Sequence, residues 1–223
     1  MMNTMNNQTV QTASGDSIIA RNKVLRQTYI LLGANVLFSA VCAFVGMQMG
    51  IGQIPWFVAM IALIGLSMGI SANRNSGLGI VLLFALTGFL GVYTSNILSM
   101  FFSMGAGSVV VKALVGTGII FFGLSAYVLT TGKNFTFLGG FLFVGVMVAL
   151  LAGIGAMVFG MTALSLVVSG AFLLIFSGYV LYDTSNIVHG HETNYIVATL
   201  NLFMNIFNIF LSLLNLIGAF SGD

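Results

Sequence analysis

Charge is what this sequence lacks most. Only 4% of its 223 residues are Asp, Glu, Lys or Arg, whereas 59% are hydrophobic and the mean hydropathy is +1.12. Soluble domains carry about 25% charged residues, so a soluble globular fold is excluded. The formal net charge of +2 is too small and too scattered to suggest nucleic acid. Cysteine is nearly absent as well. Cys42 stands alone within the first apolar run, so no intramolecular disulfide can form, and it reads as a small buried hydrophobe. No cleavable signal peptide is expected, because that first run starts after a polar segment and is too long for an h-region.

What is present is a series of apolar runs, at 27–49, 53–72, 78–100, 108–131, 136–159, 162–188 and 195–219. Each is long enough to cross a hydrocarbon core as a helix. The breaks read GIGQIP, SANRNSG, SMGAGS, TGKNF, FGMT and HGHETN, of which FGMT is the weakest. The sequence therefore predicts an all-α membrane protein of seven spans, with residues 27–223 as the membrane domain. Residues 1–26 form a polar tail, whose first 20 residues have the composition of a disordered segment.

The few charges set the orientation. Arg21, Lys23, Arg26, Arg74 and Lys133 fall on one side of an alternating seven-span path, and Lys112 alone falls near the other. By the positive-inside rule the N-terminus is cytoplasmic and the C-terminus exterior. Small-xxx-small pairs, Gly46 with Gly50 and Gly65 with Gly69, predict close helix contacts in lipid. SAYVLTTGKN (125–134) and SGYVLYDTSN (177–186) share five of ten positions, a weak internal echo at the cytoplasmic ends of spans four and six.

Two patterns that suggest catalysis or metal binding fail on context. GLSMG (65–69) has the G-x-S-x-G spacing, but it sits inside an apolar span rather than on a strand-turn-helix elbow. Glycine packing explains it better, and no nucleophile–base pair supports an intramembrane hydrolase. In HGHE (189–192) the two histidines are two residues apart across a glycine, so they share no helix face. No further His or second Cys completes a zinc site. The expectation is a hydrated loop, a non-enzymatic protein and no cofactor.

The polar residues inside spans are more informative. Asp183, in LYDTSN, is the only carboxylate within any span, and Tyr179 and Asn186 share its face. An ionisable residue at such a place is costly and defaults to a functional hypothesis. The last span carries Asn201, Asn205, Asn208, Ser212 and Asn215, spaced four, three, four and three. At 100° per residue these fall within an arc of about 80°, too narrow and polar a stripe to face acyl chains. Measured up from the turn between the last two spans, Asp183 lies about 10 Å deep, Asn201 about 12 Å and Asn205 about 18 Å. Asn201 is nearer in depth, and tilt could bring either into reach. Arg74, on the same side, is the available countercharge, through a stem that can snorkel.

LYDTSNIVHGHETNYIVATLNLF followed by NIFNIFLSLLNLIG resembles the C-terminal signature of the BAX inhibitor-1 (transmembrane BAX inhibitor motif) family. FALTGFLGVYTSNIL and NFTFLGGFLFVG resemble its internal segments. The resemblance covers nearly everything after residue 21. It implies a seven-helix fold with the last helix at the centre of the other six, so that the stripe acts as interhelical glue. It implies two activities. Some members are pH-sensitive calcium leak channels in which two aspartates on the last two helices share a proton. Asp183 matches the first of these, but Asn205 stands at the second, which weakens the cation or proton site. Bacterial inner-membrane members instead imply a client and brake of the ATP-dependent membrane protease FtsH, with its partners HflK and HflC. The tail at 1–26 would then be the handle that FtsH grips.

Overall fold

In lipid a main-chain N–H or C=O finds no water, so a chain this apolar satisfies its backbone within helices. The computed structural model describes the backbone of residues 2–51 and 53–221, and the side chains of residues 22–51 and 53–221. Among the described residues there are seven α-helices and no strand. They are α1 (Met2–Gln48), α2 (Trp56–Ala72), α3 (Gly77–Ser103), α4 (Gly107–Thr131), α5 (Gly139–Val158), α6 (Thr162–Val188) and α7 (Tyr195–Phe220). A single 3-10 turn, Thr136–Leu138, precedes α5. Residues 2–26, expected as a polar tail disordered over its first 20 residues, carry the backbone of α1 from Met2 onward, while the side chains of residues 1–21 lie outside those described.

Six helices have the length and hydropathy of membrane spans, α1 from Asn22 onward, while α2 is shorter at 17 residues. The expected second span at 53–72 loses its first turn because Pro55 takes the N-cap position, with φ −56°. The weak FGMT break is a true reversal. Gly160 adopts φ 62° between α5 and α6, a left-handed conformation that a side chain would strain. The FGMT break therefore divides two helices, and of the seven helices among the described residues six have the length and hydropathy of a span.

The start of α1, the α2–α3 turn, the α4–α5 loop and the α6–α7 turn meet at one end of the bundle. Asn194 Nδ2 donates to the Arg74 carbonyl at 2.8 Å, His189 Nε2 lies 3.2 Å from the Gly132 carbonyl, and Asn22 and Leu25 share a groove with Leu129, Ile187 and Val188. Lys23, Arg26, Arg74 and Lys133 all belong to these segments, and we call this the basic end. Alternation of seven helices produces this grouping.

α7 packs against α1, α2, α3, α4 and α6, whereas α5 stands outside it against α6. Burial on α7 reaches most of its circumference, through Ile196, Leu200, Leu202, Phe203, Asn205, Ile209 and Leu214. α7 thus buries polar as well as apolar side chains, Asn205 and Ser212 among them. Phe203, which the stripe geometry places opposite the protein, is only 3% exposed. The polar stripe thus does not divide a protein face from a lipid face.

α1 and α3 approach each other closely. A Cβ added at Gly91 would collide with the Ser39 carbonyl, and one at Gly88 would lie 2.8 Å from Phe38 Cε1. Gly46 also serves this seam, since a Cβ there would lie 2.7 Å from Ser95 Oγ. Cys42 packs beside both Gly88 and Gly91, as a small hydrophobe would. The expected partner of Gly46, Gly50, lies past the end of α1 with no neighbour within 4 Å, and the other expected pair contributes little: Gly65 has no neighbour within 4 Å and Gly69 meets only Leu82 Cδ1, at 3.3 Å. Within the seam Asn35, fully buried, accepts from Thr87 Oγ1 at 2.9 Å and donates to the Leu31 carbonyl at 2.8 Å.

Candidate functional site

Asp183 sits on the last turn and a half of α6, where Thr184, Ser185 and Ile187 are also buried. It is only 8% exposed, and its Oδ2 accepts from Asn205 Nδ2 at 2.7 Å. Asn205, 4% exposed, lies three turns into α7. Axial depth alone favours Asn201, but side-chain direction closes the gap. Cα–Cβ bonds tilt toward a helix's own N-terminus. α6 runs toward the basic end, so the Asp183 side chain reaches deeper into the bundle. α7 runs away from it, so the Asn205 side chain reaches back.

A cavity of about 290 Å³ opens beside this pair, lined by Tyr182, Asp183, Asn186, His191, Glu192 and Asn201 together with Ile187 and Ala198. Asn201 therefore lines the approach to the carboxylate rather than pairing with it. Sequence reasoning missed Glu192 here. Gly190, at φ 76°, reverses the chain after α6 and brings His191 and Glu192 back over the cavity. The signal available was a glycine inside HGHE, which marks a turn that returns its far side to the preceding helix. Glu192 is held in place because its Oε1 accepts from the Asn194 main-chain N–H at 2.7 Å.

Asn194 orders the rim. Its Oδ1 caps α7 by accepting from the Ile196 and Val197 N–H groups, while its Nδ2 donates to the Arg74 carbonyl and to Asn75 Oδ1. Arg74 itself is exposed, and its role here is through its main chain. The structure does not bring the Arg74 guanidinium onto Asp183, whose partner is an amide.

The rest of the stripe divides. Asn215 Nδ2 reaches across to Ser169 Oγ on α6 at 2.9 Å, whereas Asn208 Nδ2 turns back to the Met204 carbonyl of its own helix at 2.8 Å. Ser212 is buried without being part of the cavity. Asn205 and Asn215 thus link α7 to α6, and Asn208 does not cross. The two echoing segments, 125–134 and 177–186, pack on one another: Ser125 Oγ and Thr184 Oγ1 are 3.5 Å apart, and Ser185 Oγ lies 3.4 Å from Asn134 Oδ1. In HGHE, His189 turns to Ser185 and Gly132 while His191 lines the cavity, so the two rings do not converge on one centre.

The arrangement defines a class: a multi-pass helical membrane protein with a carboxylate buried on an amide beneath a polar cavity. The profile described as Bax1-I, inhibitor of apoptosis-promoting Bax1, matches residues 21–222, and the chain belongs to this family. It is 42% identical over 207 residues to the "Modulator of FtsH protease YccA" of Escherichia coli (strain K12), covering 93% of this chain and 94% of that one. The same figures hold for the "Inner membrane protein YccA" of Escherichia coli O6:H1. An uncharacterized protein of Pseudomonas aeruginosa is 44% identical over 201 residues, 90% of each chain. The K12 name describes a modulator of a protease rather than a catalyst.

Proposed function

We propose that this chain is an inner-membrane protein that binds and restrains an FtsH-type membrane protease. The observation that carries this reading is the 42% identity, across 93% of the chain, to the protein named for that role. The fold gives it a physical basis. The polar tail before the membrane, residues 1–26, is a handle for an ATP-driven protease on the cytoplasmic side. The tail's residues are continuous with the membrane-spanning part of α1, the helix fixed to α3 by the glycine seam. Pulling on the tail loads this close-packed seam, so extraction stalls. In this reading the basic end is cytoplasmic, the C-terminus is periplasmic, α7 is the central helix, and HflK and HflC are associated partners. The test is capture of FtsH from solubilised membranes. Full-length protein should retain it and a chain lacking residues 2–20 should not. Equal capture by both would remove the tail from the account.

A second reading, a cation or proton conductance carrying Ca2+ or H+, is favoured by one observation: the cavity reaches a buried carboxylate. Asp183 bonded to Asn205 lacks the second carboxylate that shared-proton gating needs, and offers a divalent cation one charge rather than two. Calcium-loaded liposomes between about pH 6 and 8, the range in which a buried carboxylate can titrate, separate the readings. Wild type should leak little and Asn205→Asp should gain pH-dependent flux. Strong gated flux in the wild type would put this second reading first.

A further inference from the structure

The end of α6 is fastened to the α4–α5 loop by a histidine whose hydrogen bonds cannot all be made by a neutral ring. His189 Nδ1 lies 2.9 Å from the Ser185 carbonyl, and Nε2 lies 3.2 Å from the Gly132 carbonyl. Both partners are main-chain carbonyls, which only accept. A neutral imidazole has one N–H and one lone pair. With the proton on Nδ1, the Nε2 lone pair faces the Gly132 carbonyl and the link between segments is lost. With the proton on Nε2, the Nδ1 lone pair faces the Ser185 carbonyl. The Ser185 hydroxyl, 3.2 Å from Nδ1, could relieve that only by turning from Asn134 Oδ1, while it still accepts from the Phe135 N–H at 2.9 Å. Only the imidazolium makes both carbonyl bonds at once. Its position suits a positive charge, because His189 is the C-cap of a 27-residue helix.

We propose that His189 is a pH-sensitive brace: protonated, it ties the basic end of α6 to the α4–α5 loop, and on losing its proton it loosens that loop, giving up either the Gly132 bond or the Ser185–Asn134 bond. The brace goes beyond protease modulation and does not depend on it. α6 is also the helix that carries Asp183, so the brace sets how firmly one wall of the cavity is held.

The charged and titratable groups around it are few. Lys133 follows Gly132, and its ammonium is engaged by the Tyr127 hydroxyl at 3.1 Å. Asp183, Tyr182 and Tyr179 lie on α6, His191 and Glu192 on the turn after it, and Tyr195 opens α7. Lys23 and Arg26 lie on α1, which shares a groove with Ile187 and Val188, and Arg74 lies on the α2–α3 turn. An imidazole changes charge between pH 5 and 8, so His191 and the buried Asp183 are the controls.

Hydrogen exchange of the full chain in lipid nanodiscs at about pH 5.5 and 8.5, bracketing the imidazole range, tests the brace once rates are corrected for intrinsic pH dependence. Protection over residues 132–138, which include the Phe135 amide held by Ser185, should fall roughly tenfold at the higher pH, the scale of one charge-assisted hydrogen bond. His189→Gln should abolish that fall, and His191→Gln and Asp183→Asn should preserve it. Equal corrected protection in the wild type at both values overturns the proposal. So does a fall that survives His189→Gln or vanishes in either control. Ring 15N shifts of wild-type His189 provide a reading that needs no variant: both nitrogens should be protonated at the lower pH and one at the higher. A single protonated nitrogen at both values would also contradict the brace.

Discussion

The α1–α3 seam and the α6–α7 pair each bury an asparagine between two membrane helices, yet they put it to different use. Asn35 sits in a close contact beside Gly88 and Gly91, satisfied by Thr87 and the Leu31 carbonyl. Asn205 holds a carboxylate at the edge of a cavity of about 290 Å³. Backbone approach decides the difference. Glycines let α1 and α3 exclude everything but each other, as small residues do in lipid. α6 and α7 meet through longer polar side chains and leave room beside them. The seam is built to resist separation, and the pair is built to be reached from the basic end.

That contrast can be broken first at the seam. Gly91→Leu drives a side chain into the Ser39 carbonyl, and should cost about 3 kcal/mol or prevent folding, the upper range for overpacking. Thermal unfolding in detergent reads the effect. Gly65→Leu, with open space around it, should leave the midpoint unchanged, and Gly69→Leu, against the flexible end of Leu82, should fall between them. Equal losses at Gly65 and Gly91 would mean that the seam has no special role.

The polar pair comes next. Asn205→Leu removes the donor from a buried carboxylate and should cost about 1–3 kcal/mol in the same measurement. A variant as stable as wild type would show that water in the cavity already serves Asp183. The smallest effect is expected at Asn208, whose amide bonds only its own helix. Asn208→Leu should change stability by less than about 0.5 kcal/mol, and a larger loss would show that it has a cross-helix partner.

Much of this was legible in the residues. Apolar length and glycine-marked breaks place the helices to within a few residues, apart from the start of α1 at Met2, because lipid leaves the backbone no alternative to helix. Asp183 stands out for the same reason, being a charge where charge is costly. What the sequence did not reveal depends on partners far along the chain. Gly88 and Gly91 are three residues apart rather than four, and only the positions of Phe38 and Ser39 on α1 make them close contacts. The choice of Asn205 over Asn201 follows from side-chain tilt on antiparallel helices, which depth along a helix does not capture. Glu192 reaches the cavity only because of the turn at Gly190.

The central claim, that the tail engages a protease while the bundle resists extraction, is tested most directly by co-reconstitution with FtsH in liposomes, reading the turnover of a membrane substrate. Wild type and Asp183→Asn should slow turnover alike, and a chain lacking residues 2–20 should not slow it. Undiminished slowing by the shortened chain, or its loss in Asp183→Asn alone, would contradict the account and move the function to the α6–α7 site.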